Sequence, residues 1–222
     1  MALTQQWKCQ DNAASTTVVA TVGTNATLAG GDNTSAITTT GPGTALTAAL
    51  DLDGTNDYID VSGAAVSFAS GSAWSVAAWV KFDTVALHAI LGITGANTTR
   101  FAIQSSFTTI RVNLNSSTNR DFTIPASTNN VWYHLLVTRN TSNALRLFWD
   151  GTESSTGAIT VAESFAPTVI GRYNTFRMNG RVCDVRAYDS DESANVFGIM
   201  AEKNTAVIGP RVMHHRRMMG AG

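Results

Sequence analysis

The sequence is poor in charge and in cysteine. Asp, Glu, Lys and Arg make up 14% of the 222 residues and the formal net charge is -1, whereas roughly 25% charged residues is usual. The body therefore has no electrostatic bias toward nucleic acid or a membrane surface. Two cysteines, Cys9 and Cys183, are too few for a disulfide scaffold or a cysteine-rich zinc site. We interpret them as buried free thiols, with a Cys9–Cys183 bridge as the alternative.

Long apolar runs are also missing. No stretch approaches the ~18–20 residues that a membrane-spanning helix needs, so we expect no membrane span. The opening residues, MALTQQWKCQDNAAS, lack a basic segment followed by an apolar one. We therefore expect no secretory signal peptide.

Glutamate is scarce, with four in the chain, and none has an acidic partner two residues away in a candidate strand. On a strand, residues i and i+2 face the same groove, and retaining glycoside hydrolysis needs two carboxyl groups about 5–5.5 Å apart. Asp51 and Asp53 have this spacing, but at a strand end that enters a turn. Trp132 and His134 share a strand face and are interpreted as buried. We predict that the protein is not an enzyme and needs no cofactor.

Strand-like patterns fill most of the chain. Apolar residues alternate in segments 75–82, 131–139, 144–149 and 181–188, and turn-rich stretches separate such segments about every 8–12 residues. This spacing predicts an all-β fold, a two-sheet antiparallel sandwich.

Two segments depart from the strand pattern. Residues 12–48 form a Thr-, Ala-, Gly- and Asn-rich tract, which we expect to be a loop-rich excursion over the sandwich. Residues 191–203 carry an apolar stripe at helical spacing, and Asp189 and Glu192 have the spacing of a capping box. The expected organisation is a sandwich over residues 1–204, with one short C-terminal helix, and a tail over residues 205–222.

The tail is basic and also hydrophobic, and Pro210 would end any helix within it. Methionine adapts to irregular partner surfaces and arginine suits interface ion pairs. An arm for nucleic acid would contain more Lys and Arg and fewer hydrophobic residues, so a protein partner is favoured. The predicted partner-binding residues are Arg211, Val212, Met213, Arg216, Arg217, Met218 and Met219.

The segment ALDLDGTNDYIDV, residues 49–61, places four aspartates within a short stretch. One interpretation is a hairpin whose turn covers residues 53–57, because Gly54 and Asn56 tolerate positive φ. The other is a calcium loop with Asp53 and Asp57 as ligands, since Ca²⁺ prefers carboxylate oxygens. We favour the hairpin and keep calcium as the alternative.

The order of these motifs resembles the laminin-G-like, concanavalin A-like jelly-roll lectin domains. The matching pieces are LDLDGTNDYIDV, SVAAWVKF, VWYHLLVTRN, LRLFWDG, VIGR and MNGRVCDVRAYD. The resemblance implies two packed antiparallel sheets, with the first strand beside the last. It also implies functions that range from glycan binding and adhesion to architecture within larger particles, and calcium binding on edge loops.

Sugar binding in such sandwiches uses exposed aromatic residues and polar loops. The candidate glycan-binding residues are Trp79, Trp149, Arg172, Tyr173 and Asn174. Phe176 is a further conceivable aromatic platform.

Three functional hypotheses follow. We predict a non-enzymatic structural or display component of a large assembly, namely a phage or virus virion protein for capsid decoration or a fibre, which could also bind glycans. It would assemble in the host cytoplasm through contacts with other subunits. The alternative is a stand-alone carbohydrate-binding or adhesive module, extracellular by a non-classical route. A lesser alternative is a polysaccharide-active enzyme.

Overall fold

The computed structural model describes residues 2–11, 14–31, 36–64 and 66–204. Short 3-10 turns cover Ser62–Ala64 and Ser193–Asn195, and an α-helix spans Val196–Ala201. The strands of these ranges are, in chain order, β1 (Leu3–Trp7), β2 (Thr17–Val18), β3 (Ala20–Val22), β4 (Ala26–Ala29), β5 (Ile37–Thr38), β6 (Ala49–Asp53), β7 (Tyr58–Asp60), β8 (Trp74–Phe82), β9 (His88–Gly92), β10 (Arg100–Ile103), β11 (Thr109–Asn113), β12 (Arg120–Thr123), β13 (Trp132–Arg139), β14 (Ala144–Trp149), β15 (Thr152–Glu153), β16 (Ile159–Thr160), β17 (Val169–Ile170), β18 (Arg172–Tyr173), β19 (Phe176–Arg177) and β20 (Asn179–Tyr188).

Two antiparallel sheets pack face to face. In the first sheet the strand order is β15-β14-β13-β8-β20-β1-β3, with β16 on β14 and with β6 joining β20 to β5. In the second sheet the order is β12-β11-β10-β9-β17-β7-β4-β2. Trp7 of β1 lies opposite Val185 of β20, so the first strand is beside the last, as expected. These observations confirm the all-β, two-sheet antiparallel sandwich with a short C-terminal helix.

The core lies between the sheets and is rich in stacked aromatic rings. On β8, Val76, Val80 and Phe82 share one strand face, as alternation requires, and that face packs into the core. Trp74 stacks on Phe165 at 5.2 Å between ring centroids. Burying one such large side chain stabilises the fold by roughly 1.5–3 kcal/mol, so this aromatic cluster is a main source of stability.

Part of the predicted loop-rich excursion is regular. Strands β2 and β4 extend the edge of the second sheet, while β3 and β5 join the first sheet. Residues 14–31 and 36–48 therefore contain more strand than the composition indicated, because sheet edges offer backbone partners that a composition cannot reveal.

The C-terminal helix covers the outer face of the first sheet. Val196 and Ile199 pack on Ala77 and Leu136 of that face. The predicted capping box is wrong, because the Glu192 side chain accepts a hydrogen bond from the Ser190 hydroxyl at 2.6 Å and makes no cap bond. The helix begins later than predicted, at residue 196.

A buried ion pair lies on the same outer face. The Asp184 carboxylate accepts hydrogen bonds from Arg186 Nη2 at 2.6 Å and from Gln6 Nε2 at 2.7 Å. Burial alone would lower the pKa of Arg186, but the hydrogen bonds and charge of Asp184 raise it overall. Arg186 also pairs with the more exposed Glu202 at 2.8 Å, so removing Asp184 would leave the buried guanidinium only partly compensated. Cys9 and Cys183 are free buried thiols, which confirms the favoured interpretation.

Candidate functional site

The predicted hairpin at the aspartate-rich segment is wrong, because β6 pairs with β20 and β5 in the first sheet whereas β7 pairs with β17 and β4 in the second. The expected turn at residues 53–57 is present, but it connects the two sheets. Asp53 Oδ1 accepts hydrogen bonds from the backbone N–H groups of Thr55, Asn56 and Asp57 at 2.7, 3.1 and 3.3 Å. These bonds, above all that from Thr55, lower the pKa of Asp53. The carboxylate therefore holds the turn together, as Asp side chains do at such positions.

An open cleft of ≈ 400 Å³ lies beside this turn, and Asp51, Asp53, Asp57 and Asp83 contribute to its lining. Burial, followed by the charge of Asp53, raises the pKa of Asp57. No group of three or more His, Cys, Asp or Glu side chains with metal-binding geometry occurs in the part of the chain that the structure describes. The calcium role of Asp53 and Asp57 stays a prediction that the geometry does not support.

Trp79 does not present a free ring. It is 2% exposed on the outer face of the first sheet, and the Lys203 ammonium lies 4.3 Å from its ring centroid. His134 packs against the same ring at 5.0 Å, and its Nδ1 has no hydrogen-bond partner. Burial, followed by the charges of Arg186 and Lys203, lowers the pKa of His134 to about 3. The expectation of a glycan platform at Trp79 is corrected, because the chain's own C-terminal segment covers this face.

The Trp149 ring faces the core and not the surface. It is 2% exposed and stacks on Tyr133 at 5.0 Å between centroids. On β14, Trp149 shares its strand face with Leu145 and Leu147, which belong to the main core. Its proposed role as a glycan platform is therefore also corrected.

The remaining glycan candidates lie on one hairpin, β18–β19, which folds onto the outer face of the second sheet. Gly171 starts it with a φ of +79°, and Asn174 has a φ of +47° in the turn. Asn tolerates this left-handed conformation better than most residues. A Cβ on Gly92 would come 2.4 Å from Cβ of Tyr173, so the hairpin can approach the sheet only because residue 92 is glycine.

Tyr173 anchors the hairpin, and Phe176 is presented outward. Tyr173 is 1% exposed and packs on Ala89 and Ala102, so it cannot itself be an exposed platform. Phe176 stacks on Tyr173 at 5.0 Å and is 43% exposed. The buried ring thus holds an exposed ring in a fixed position.

Two arginines flank the turn. The carbonyl oxygen of Asn174 accepts hydrogen bonds from Arg172 Nε at 3.0 Å and from Arg177 Nη1 at 3.3 Å. Their guanidinium carbons lie 4.8 and 5.8 Å from the ring centroid of Tyr58 on β7. We call the surface formed by Tyr58, Arg172, Asn174, Phe176 and Arg177 the hairpin surface.

Arg172 and Asn174 were predicted as site residues, whereas Tyr58 and Arg177 were missed. The sequence RYNTFR, residues 172–177, contains a signal for Arg177: Tyr173 pairs with Phe176 across a two-residue turn, which places the two arginines opposite each other. Tyr58 gives no such signal, because it is remote in sequence. The predicted tail residues lie outside the described residues. No helix in the described ranges is long and apolar enough to cross a membrane.

Comparisons with known proteins agree with this architecture. The laminin-G-type family model described as Concanavalin A-like lectin/glucanases superfamily matches residues 53–195. No curated protein matches the chain in sequence.

Among solved structures, a mutant of Trypanosoma rangeli sialidase displaying trans-sialidase activity aligns with a TM-score of 0.62 and 12% identity, over 92% of this chain and 34% of that chain. The Botulinum neurotoxin serotype D binding domain aligns with a TM-score of 0.59 and 16% identity, over 90% of this chain and 50% of that chain. The chain thus spans about a third to a half of these proteins, and identities this low show a shared fold alone.

Proposed function

This chain belongs to the concanavalin A-like lectin/glucanases superfamily, and we propose that within it the chain is a non-catalytic glycan-binding module. The observation that carries this proposal is the exposed Phe176 ring, held by stacking on Tyr173 and bordered by Arg172 and Arg177. Sites for small polar ligands combine aromatic surface with a few polar groups that fix orientation. Two similar structures support the idea, since one is the binding domain of a Botulinum neurotoxin and the other is a Trypanosoma rangeli sialidase in complex with sialic acid.

Hydrolysis is the second candidate, because the acidic cleft holds Asp53 and Asp57, whose pKa values move in opposite directions. Environments that separate two carboxyl pKa values are typical of acid–base pairs. We do not favour it, because Asp53 Oδ1 already accepts three backbone hydrogen bonds. Turnover of a β-glucan that disappears in Asp53→Asn would establish hydrolysis instead.

We further propose that the module is displayed on a large assembly, for which a phage or virus virion is the leading case. The support is the composition of residues 205–222, which combines arginine and methionine as protein interfaces do. Contacts with other subunits would then run through this tail, and glycan binding through the hairpin surface.

A glycan array tests the binding proposal. The full chain should bind a subset of glycans, and Phe176→Ala should lose that binding because the stacking ring is gone. Phe197→Ala is the matched control, since Phe197 is an exposed phenylalanine, 66% exposed, on the C-terminal helix. Binding to no glycan, or equal binding by Phe176→Ala and the control, would overturn the proposal.

A further inference from the structure

We infer that the hairpin surface binds acidic saccharides, with Arg172 and Arg177 receiving a carboxylate or sulfate group of the sugar. The inference rests on the proposed glycan-binding function and specifies the chemical class of its ligand. The hairpin surface carries an unbalanced positive charge.

Neither arginine is neutralised by the protein. Among the described residues, the ion pairs within 4.0 Å join other side chains, and none includes Arg172 or Arg177. By contrast, Arg111 on the same outer face forms a two-bond pair with Asp121, at 2.7 Å for each bond. The sheet thus supplies a carboxylate to Arg111 but leaves the hairpin arginines unpaired.

The two guanidinium groups are also held close together. Both donate to the carbonyl oxygen of Asn174, and both approach the ring of Tyr58. Burial, followed by the charge of Arg172, lowers the pKa of Arg177. The positive charge of Arg172 therefore acts on the Arg177 guanidinium group. Convergent like charges without a counterion are unfavourable, and an anion placed between them would remove the repulsion.

Donor groups remain available for that anion. The bonds to the Asn174 carbonyl use Nε of Arg172 and Nη1 of Arg177, which leaves other N–H groups of both side chains for a ligand. Arginine presents its N–H groups as a planar fork that matches carboxylate oxygens, and it binds other oxyanions by the same charge-assisted bonds. An incoming oxyanion can therefore neutralise both guanidinium groups while it accepts their remaining N–H bonds.

The surroundings favour an acidic sugar over a bare ion. Phe176 on the same hairpin offers an exposed apolar ring, and the Asn174 side chain lies in hydrogen-bond contact with Asn97 at 3.4 Å. A sugar has apolar C–H faces for the ring and hydroxyl groups for the amides, whereas sulfate has neither. A phosphodiester chain needs a longer track of basic residues than two arginines.

The experiment is an NMR titration of the full chain with glucuronic acid, glucose 6-sulfate, glucose, inorganic sulfate and a single-stranded oligonucleotide, at matched ionic strength. Both acidic sugars should shift the signals of the hairpin surface, and should bind about tenfold more tightly than glucose or inorganic sulfate. Binding should weaken as salt is raised, because the contacts are ionic. Glucuronic acid and glucose 6-sulfate together separate carboxylate from sulfate recognition.

Variants identify the residues responsible. Arg172→Gln and Arg177→Gln should each weaken binding of the acidic sugars about tenfold, and Arg177→Lys should have a smaller effect because it keeps the charge but loses the planar fork. Arg146→Gln is the control, since Arg146 is a surface arginine of the first sheet that pairs with Glu153 at 3.7 Å and should not affect binding.

Several results would overturn the inference. Equal affinity for glucose and glucuronic acid, no loss in either glutamine variant, sulfate alone binding as tightly as the sugars, or tighter binding of the oligonucleotide would each do so. If the array shows glycan binding that depends on Phe176 but not on charge, the proposed function stands and this inference fails. If no glycan binds at all, the proposed function itself fails.

Discussion

Stability should fall steeply with acid because of one buried histidine, His134. In the folded protein its pKa is lowered to about 3, first by burial and then by the charges of Arg186 and Lys203, whereas an unperturbed histidine has a pKa of about 6.5. Below about pH 6.5 the unfolded chain therefore binds a proton that the folded chain does not, and stability is lost as pH falls. Between pH 7 and pH 5 this amounts to about 2 kcal/mol.

The assay is urea unfolding at pH 7 and pH 5, for the wild type and for His134→Leu. The leucine variant should lack about 2 kcal/mol of the wild-type pH dependence, which corresponds to roughly 4–8 °C in melting temperature for a chain of this size. The pKa of His88 is also lowered, chiefly by burial, but His88 is present in both proteins and cancels in the comparison. Equal pH dependence in the two proteins, or a measured His134 pKa near 6.5, would refute the reasoning.

Three further predictions concern stability and assembly. Asp184→Asn should destabilise the fold by about 3 kcal/mol in chemical unfolding, the lower end for breaking a buried ion pair, because Arg186 loses its buried partner but keeps the exposed Glu202. A loss below about 1 kcal/mol would contradict the packing of this pair. Saturating calcium should leave the melting temperature unchanged. A calcium-dependent rise that vanishes in Asp57→Ala would instead support the calcium-loop interpretation, since a ligand that binds the folded state must stabilise it. Deleting residues 207–222 should shift the melting temperature by only a few degrees but abolish incorporation into the native particle, which sedimentation would measure. If the truncated protein unfolds, or if it still assembles normally, the assembly role of the tail is contradicted.

The fold was predictable because its signals are local. Alternation on β8 correctly separated Val76, Val80 and Phe82 from Trp79, since a strand has a period of two. The same rule applied to β14 places Trp149 with Leu145, on the core side, so the sequence already contained the argument against an exposed ring.

The site was less predictable because its parts are distant in sequence. Trp79 is buried by a C-terminal segment that returns over the first sheet and brings Lys203 to its ring, which no pattern around Trp79 reveals. Tyr58 meets Arg172 and Arg177 only because β7 and β17 are neighbours in the second sheet. Residue type alone was enough to predict Arg172 and Asn174 as site residues. Tyr58 and Arg177 could be identified only from the pairing of strands in the structure.

The most direct test of the account is the position of the bound sugar. Amide chemical shifts of the full chain should be followed by NMR while the strongest glycan from the array is added. We predict that the largest changes fall at residues 172–177 and at Tyr58, and that the signals of Asp51, Asp53 and Asp57 in the acidic cleft stay unchanged. Changes centred on the cleft, with the hairpin unaffected, would contradict the account.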